Sequence, residues 1–145
     1  MNTSAYKTKN VSDIVLDFLV EKKVHKVFVL TGGAIAFAVD AFSKRKDISY
    51  ICVQHEQAGA MMADSYSRLG PNFSCTMVTS GPGATNLLTG IACSYFDSIP
   101  HFIISGAVPT NNMRDNKKIR QVGFQEMEVV DIVCVSYVHE ASKLM

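Results

Sequence analysis

The sequence predicts a three-layer α/β/α fold, in which a mainly parallel sheet lies between two layers of helices. Short apolar runs typical of buried strands alternate along the chain with segments whose apolar residues recur at helical spacing. The chain has 145 residues, of which 48% are hydrophobic and 19% charged, so it can form one sizeable core. These two observations together favour a single α/β domain.

The first helix and the first strand are both marked by their apolar residues. From Val11 to Leu19 these residues recur at helical spacing, with Asn10 or Ser12 available as the N-cap, and we expect the helix to end near Val24. The run Val27–Leu30 is apolar and is followed by Thr31-Gly32-Gly33. This pattern predicts a strand that is buried on both faces.

The same alternation continues to the end of the chain. It predicts, in order, helix Ile35–Ser43, strand Ile48–Val53, helix Glu56–Leu69, strand Cys75–Thr79, helix Ala84–Phe96, strand Phe102–Ser105, a polar loop Pro109–Gln121 and a fifth strand within Val129–Val138. Strands separated by helices favour right-handed βαβ units. Because the chain stops soon after the fifth predicted strand, we expect the sheet to lack its last helix and strand.

Charge and hydropathy argue against two classes of partner. The formal net charge is +1, and the short basic clusters at 44–46 and 117–120 are typical of solvated surface, so no nucleic acid is expected. No apolar run is long enough to span a bilayer. Residues 1–10, which we expect to be flexible, lack the apolar stretch of a signal peptide. We therefore expect a cytoplasmic protein without a membrane partner.

The four cysteines are widely separated and form no C-x-x-C pair. Cys52, Cys75 and Cys134 fall within predicted strands, where a free cysteine behaves as a small buried hydrophobe. This spacing favours buried thiols over disulfides or a zinc site.

Three unusual segments each follow a predicted strand. They are Leu30–Gly33, Gln54–Gln57 and Thr79–Asn86. In open parallel sheets, ligands bind beyond the carboxyl ends of the strands. We therefore expect the three segments to converge on one site.

The glycine-rich turn after the third strand has several possible functions. Gly81 and Gly83 on either side of Pro82 favour a tight turn that leads into a helix. A dinucleotide-binding fingerprint is disfavoured, because Asn86 stands where the third glycine is needed. A Walker loop is disfavoured because no Gly-Lys-Ser/Thr follows. At this point a plain turn without a ligand stays open.

Glu56 is the candidate acidic group of the site. It begins a predicted helix, whose dipole favours the charged carboxylate, whereas apolar neighbours such as Ala58 and Met61 favour the neutral acid. The sequence leaves the balance between these two effects open. For His55 beside it, a capping or core position is favoured over catalysis.

Five blocks of the sequence resemble, in order and spacing, one enzyme family. Gln54–Arg68 looks like the stretch that holds the essential glutamate of thiamine-diphosphate-dependent enzymes, and Thr79–Asn86 looks like their T-S-G-P-G-x-x-N signature. Asp97–Pro100, Ser105–Pro109 and Gly123–Glu126 match later blocks of the acetolactate-synthase group. The resemblance extends from about Val11 to Ser142 and points to the N-terminal, pyrimidine-binding domain of that family.

The resemblance implies a cofactor and roles for six residues. Thiamine diphosphate acts through its C2 carbanion, and the protein tunes its electronics. By resemblance, Glu56 hydrogen-bonds N1′ of the aminopyrimidine and promotes the imino tautomer that deprotonates C2. The motif positions imply that the pyrimidine pocket is lined by Gly33, Thr79, Pro82 and Asn86, with Gln125 on the substrate side.

Two departures from the family pattern limit what the resemblance implies. The family binds Mg²⁺ and the diphosphate through a G-D-G motif followed by Asn-Asn on a separate domain, but no G-D-G precedes Asn111-Asn112 here. We therefore assign no metal ligand to this chain and expect residues 11–145 to be a truncated pyrimidine-binding domain. Ala107 stands where acetolactate synthases commonly have Gln, which weakens the case for FAD.

The function implied is the pyrimidine-binding half of a 2-oxo-acid carboligase or decarboxylase. Such a chain would need a diphosphate-binding domain or subunit for activity, and it would form a homo-oligomer across helices 56–69 and 84–96. One alternative is a non-catalytic cofactor-binding or assembly module, against which the presence of Glu56 argues. The other is a nucleotide-binding oxidoreductase domain, which the failed dinucleotide fingerprint disfavours.

Overall fold

The structure, a computed structural model, describes residues 9–107 and shows a parallel sheet of four strands with helices on both faces. Its elements are α1 (Val11–Glu21), β1 (Lys26–Leu30), a 3-10 turn (Gly33–Ile35), α2 (Ala36–Ser43), β2 (Ser49–Cys52), α3 (Glu56–Leu69), β3 (Cys75–Val78), α4 (Pro82–Thr85), α5 (Leu88–Phe96) and β4 (Phe102–Ser105). The strand order is β2-β1-β3-β4. The predicted α/β fold is confirmed, and the predicted fifth strand lies outside the described residues.

Helices α1 and α2 cover one face of the sheet. The α1 helix starts where Asn10 Oδ1 accepts a hydrogen bond from the Asp13 amide at 2.8 Å, which confirms one of the two predicted N-caps. On this face the core consists of Leu16, Leu19, Val24, Val27, Val29, Ile35, Ala41, Phe42, Ile48, Cys75 and Met77. Each large side chain buried in this way contributes about 2 kcal/mol to stability.

Helices α3 and α5 cover the opposite face. Strand residues alternate between the two faces, so Phe28 and Val78 pack here while their neighbours Val29 and Met77 pack against the first layer. The helices and the N-cap of α5 contribute small or branched side chains to this second core, namely Ala60, Ala63, Ile91 and the N-cap Leu87. Because Gly90 has no Cβ, α5 lies directly against Ala60 of α3.

Two sequence-based predictions about the sheet and its helices need correction. Cys52 is exposed, because β2 is an edge strand of the described sheet and all four of its residues are exposed. Cys75 is buried as expected, which raises the pKa of its thiol, and Cys134 lies outside the described residues. The helix predicted over 84–96 is two helices, α4 and α5, with a break at Asn86 and Leu87.

Arg45 is also less solvated than its basic cluster predicted. Its Nη1 lies 2.5 Å from Asp17 Oδ1 on α1, and its Nη2 lies 2.6 Å from Asp47 Oδ2. The side chain is only 17% exposed, so this arginine ties α1 to the loop before β2. Within residues 9–107, no helix is both long and apolar enough to cross a membrane.

Candidate functional site at the carboxyl end of the sheet

The direction in which the chain adds strands reverses between β1 and β3. From β1 the chain moves to β2 on one side, and from β3 it moves to β4 on the other side. The two strands end level with each other, because Leu30 pairs with Val78 in the parallel register. A crevice between the segments that follow such strands is the usual ligand site of open α/β sheets.

The segments that follow β1 and β3 touch each other at Gly32 and Thr79. A Cβ atom added at Gly32 would overlap the Thr79 side chain, so only glycine permits this approach. The Ser105 hydroxyl, at the end of β4, donates a hydrogen bond to the Thr79 carbonyl at 3.3 Å. Thr79, the first residue of the glycine-rich segment, is therefore held by contacts from the segment after β1 and from the end of β4.

The glycine-rich turn itself depends on one backbone conformation. Gly81 has φ 70° and ψ −123°, a combination that side-chain-bearing residues rarely adopt. Pro82 then occupies the first turn of α4, where its missing amide hydrogen costs nothing. The Asn86 amide donates to the Pro82 carbonyl at 2.9 Å, which brings Asn86 to the end of this short helix.

Glu56 begins α3 and is almost fully buried, with 7% of its surface exposed. The preceding residue, His55, is the N-cap, and its Nδ1 accepts a hydrogen bond from the Gln57 amide at 3.2 Å. This cap agrees with the structural position predicted for His55. The cap fixes where the helix starts, and the first residue of the helix is directed towards the glycine-rich turn.

The Glu56 carboxylate and Asn86 are joined directly. Asn86 Nδ2 donates a hydrogen bond to Glu56 Oε2 at 3.0 Å, across 30 positions in the sequence. A Cβ atom added at Gly83 would lie 3.7 Å from Glu56 Oε1, so the turn passes beside the second carboxylate oxygen. Among residues 9–107, Asn86 is the hydrogen-bond partner of this carboxylate.

The structure brings together most of the predicted site residues. Glu56 and Asn86 are in contact, and Thr79 and Pro82 are half-buried in the same turn region. Gly33 is exposed with open space around it, and the glycine that packs against Thr79 is its neighbour Gly32. Two adjacent glycines give no sequence signal to tell which one makes the contact. Gln125 lies outside the described residues.

An ionic network around the buried Asp64, which links α3 to α5, was not recognised from the sequence. Asp64, with 8% of its surface exposed, accepts hydrogen bonds from Arg68 Nε at 2.6 Å and from Ser94 Oγ at 2.7 Å. Arg68 Nη2 also lies 2.5 Å from Asp97 Oδ2. The spacing of Asp64 and Arg68 by four residues was a readable signal. The contact with Ser94 depends on how the helices cross, which periodicity does not encode.

The described residues form an α/β domain with a buried carboxylate at the carboxyl end of its sheet, and comparison with known proteins gives its family. Residues 9–133 match the family described as "Thiamine pyrophosphate enzyme, N-terminal TPP binding domain". The chain belongs to this family.

Relatives in several organisms carry the same segment within a longer protein. The chain is 40% identical over 121 residues to the acetolactate synthase large subunit of Haemophilus influenzae and to the acetolactate synthase isozyme 3 large subunit of Escherichia coli K12. It is 35% identical over 121 residues to acetolactate synthase 2, chloroplastic, of Brassica napus. Each match covers 83% of this chain but only 18–20% of the relative. The chain thus spans about a fifth of the length of these relatives.

Proposed function

We propose that this chain is the pyrimidine-binding half of a thiamine-diphosphate-dependent 2-oxo-acid carboligase or decarboxylase of the acetolactate-synthase type. The observation that carries the proposal is the buried Glu56 carboxylate, which Asn86 holds at the point where the strand order reverses. When bound, thiamine diphosphate supplies the nucleophilic carbon C2 of its thiazolium ring.

Glu56 is the proposed catalytic residue of the chain. Its task is to hold and share a proton at N1′ of the aminopyrimidine. Asn86 donates its hydrogen bond to Oε2 of Glu56. The other carboxyl oxygen, Oε1, lies beside Gly83 and is the atom proposed to bond the ring nitrogen. Because the carboxyl group is buried, bulk water competes little for this hydrogen bond.

The glycine-rich segments supply the proposed walls of the pyrimidine pocket. Thr79 and Pro82 lie in the turn beside Glu56, and nothing among the described residues lies within 4 Å of a Cβ atom added at Gly33. The motif positions add Gly33 to these walls and Gln125 to the substrate side. The fit to an aminopyrimidine rests on one buried carboxylate, of which Oε1 accepts no hydrogen bond from residues 9–107, and on the open space beside Gly33.

The proposed active site is shared with a second domain. The relatives extend well beyond the fifth that matches this chain, so in those proteins a further domain can bind Mg²⁺ and the diphosphate. We propose that a corresponding domain or subunit completes the site here and that the chain alone is inactive. FAD is not part of the proposal, because Ala107 departs from the acetolactate-synthase pattern.

The same proposal includes a homo-oligomer that forms through α3 and α5. These helices expose large apolar side chains at 39–90% of their surface, namely Met61, Met62, Leu69, Tyr95 and Phe96. Leu87 and Ile91 cannot take part, because they are buried within the domain itself. Exposed apolar side chains on neighbouring helices are typical of surfaces that are covered in an assembly.

Titration calorimetry with thiamine diphosphate and Mg²⁺ tests the proposal. The full chain alone should show weak or undetectable binding, because much of the binding energy comes from the Mg²⁺–diphosphate contacts. Addition of the diphosphate-binding part of an acetolactate synthase should restore tight binding. Submicromolar binding by the chain alone would contradict a half-site. Absence of binding in the assembled protein would contradict the function.

A further inference from the structure

The hydrogen bond between Glu56 and Asn86 joins two different elements, so their relative position must be fixed elsewhere. Glu56 is the first residue of α3. Asn86 lies two residues before α5 and leads into it through Leu87, the N-cap of α5, whose carbonyl accepts a hydrogen bond from the Ile91 amide at 2.9 Å. The 3.0 Å contact therefore depends on how α3 lies against α5.

The apolar contact between the helices sets how closely they pack. The backbone of Gly90 packs against the side chain of Ala60, which allows the two helices to lie close together. Dispersion contacts of this kind are non-directional. Hydrogen bonds constrain the register more sharply, and between these two helices Asp64 of α3 accepts one from Ser94 of α5.

Asp64 is the centre of these directional bonds. Its Oδ1 accepts from Ser94 of α5, and both of its oxygens accept from Arg68, which in turn pairs with Asp97 just after α5. Desolvation raises the pKa of Asp64, but the hydrogen bonds from Arg68 and Ser94 more than offset it, so the pKa is lowered. Asp64 is thus ionised at neutral pH, and charge-assisted hydrogen bonds are both short and directional.

We propose that Asp64 is a positioning residue that sets the Glu56–Asn86 hydrogen bond by locking α3 in register with α5. Asp64 lies eight residues after Glu56 on the same helix, about 12 Å along its axis, so it does not touch the pyrimidine site. It acts on catalysis only through Glu56, and this consequence rests on the function proposed above.

Nuclear magnetic resonance of the full ¹⁵N-labelled chain tests the proposal without any cofactor. The side-chain amide of Asn86 is identified as the signal that Asn86→Ala removes. The chemical shift of this signal in the wild type marks the state with the hydrogen bond formed. Its chemical shift in Glu56→Ala marks the state without the bond. In Asp64→Asn, and in the milder Ser94→Ala, we expect the chemical shift to move about halfway from the wild-type value to the Glu56→Ala value. The reason is that hydrogen bonds weaken steeply when their geometry is disturbed.

Asp17→Asn is the matched control, since it also neutralises an aspartate that pairs with an arginine but lies on α1, on the opposite face of the sheet. The control should leave the Asn86 signal at its wild-type position. An unmoved signal in folded Asp64→Asn or Ser94→Ala would overturn the proposal, and so would an equal shift in Asp17→Asn.

The catalytic consequence is tested separately in the protein assembled with its diphosphate-binding domain. Asp64→Asn should slow hydrogen–deuterium exchange at C2 of the bound cofactor about tenfold, because small misplacement of a reacting group is costly. In a Glu56→Gln background, the same substitution should add no further loss. A further loss in that background would show that Asp64 acts by another route. If Glu56→Gln itself had no effect while the Asn86 signal still moved, the proposed function would fail and the positioning role would stand.

Discussion

At the scale of single residues, the candidate site depends on where side chains are absent as much as on where they are present. Glu56 Oε1 lies beside Gly83, and the turn can start where it does because position 32 has no side chain. The sequence indicated glycine-rich segments at these points. It could not distinguish Gly32 from Gly33, because the difference lies in what each Cβ would meet in the folded chain.

The pair of adjacent glycines gives a direct test of this packing. We expect Gly32→Ala to destabilise the fold by about 2 kcal/mol, because the new methyl group would overlap Thr79. Gly33→Ala is the matched control, since nothing lies within 4 Å of a Cβ at that position. Removing a glycine there should change stability by less than about 1 kcal/mol. Urea denaturation of both variants checks this, and equal effects would contradict the packing.

The buried side chain of His101 is expected to make the stability of the fold depend on pH. It is 2% exposed, and burial lowers its pKa to about 4, although the charge of Asp64 acts in the opposite direction. Between pH 6.5 and about 4, the unfolded chain therefore binds a proton that the folded chain does not. The free energy of unfolding should fall as the pH falls through this window. Below it, carboxylates whose pKa is lowered, such as Asp47 at about 2, add a further loss.

Urea denaturation at pH 7 and pH 4.5 measures the contribution of His101. The free energy of unfolding should fall by about 2 kcal/mol less in His101→Gln than in the wild type, since glutamine does not titrate. The control is His25→Gln, at an exposed histidine near the start of β1, and it should keep the wild-type difference between the two pH values. An unchanged difference in His101→Gln would contradict the account.

At the scale of elements, local periodicity predicted the helices and strands well but not their surroundings. Each predicted helix and strand up to residue 105 is present, with ends that differ by a few residues. The break at Asn86 and Leu87 was missed, because the apolar pattern runs through it without interruption. The exposure of β2 was missed as well, because edge position follows from strand order, which no local pattern encodes.

The convergence of the three predicted segments shows what topology adds. All of them follow parallel strands, so their meeting at one edge could be predicted from the fold class alone. The contacts of Gly32 with Thr79 and of Glu56 with Asn86 confirm that meeting. The bonds from Asp64 to Ser94 could not be predicted, because they require the crossing of α3 and α5.

At the scale of the whole molecule, the exposed apolar side chains of α3 and α5 predict self-association. Met62 and Phe96 are 48% and 82% exposed, although both are large and apolar. Light scattering should show dimers or larger species for the wild type and a shift towards monomer for Met62→Lys and Phe96→Glu. Val11→Lys is the control, because Val11 is 76% exposed on α1, on the opposite face of the sheet. A wild type that stays monomeric over a wide concentration range would contradict the prediction.

Exchange of the C2 hydrogen of thiamine diphosphate in the assembled protein tests the central claim most directly. Glu56→Gln keeps the size of the side chain and one hydrogen-bonding group but cannot share a proton, so the exchange rate should fall about 100-fold or more while the fold is retained. Glu21→Gln, at an exposed glutamate at the end of α1, should leave the rate unchanged. If Glu56 only stabilised the start of a helix, its replacement would cost less than about 1 kcal/mol of stability and leave exchange intact. A wild-type exchange rate in Glu56→Gln would therefore contradict the assignment of Glu56 as the catalytic group.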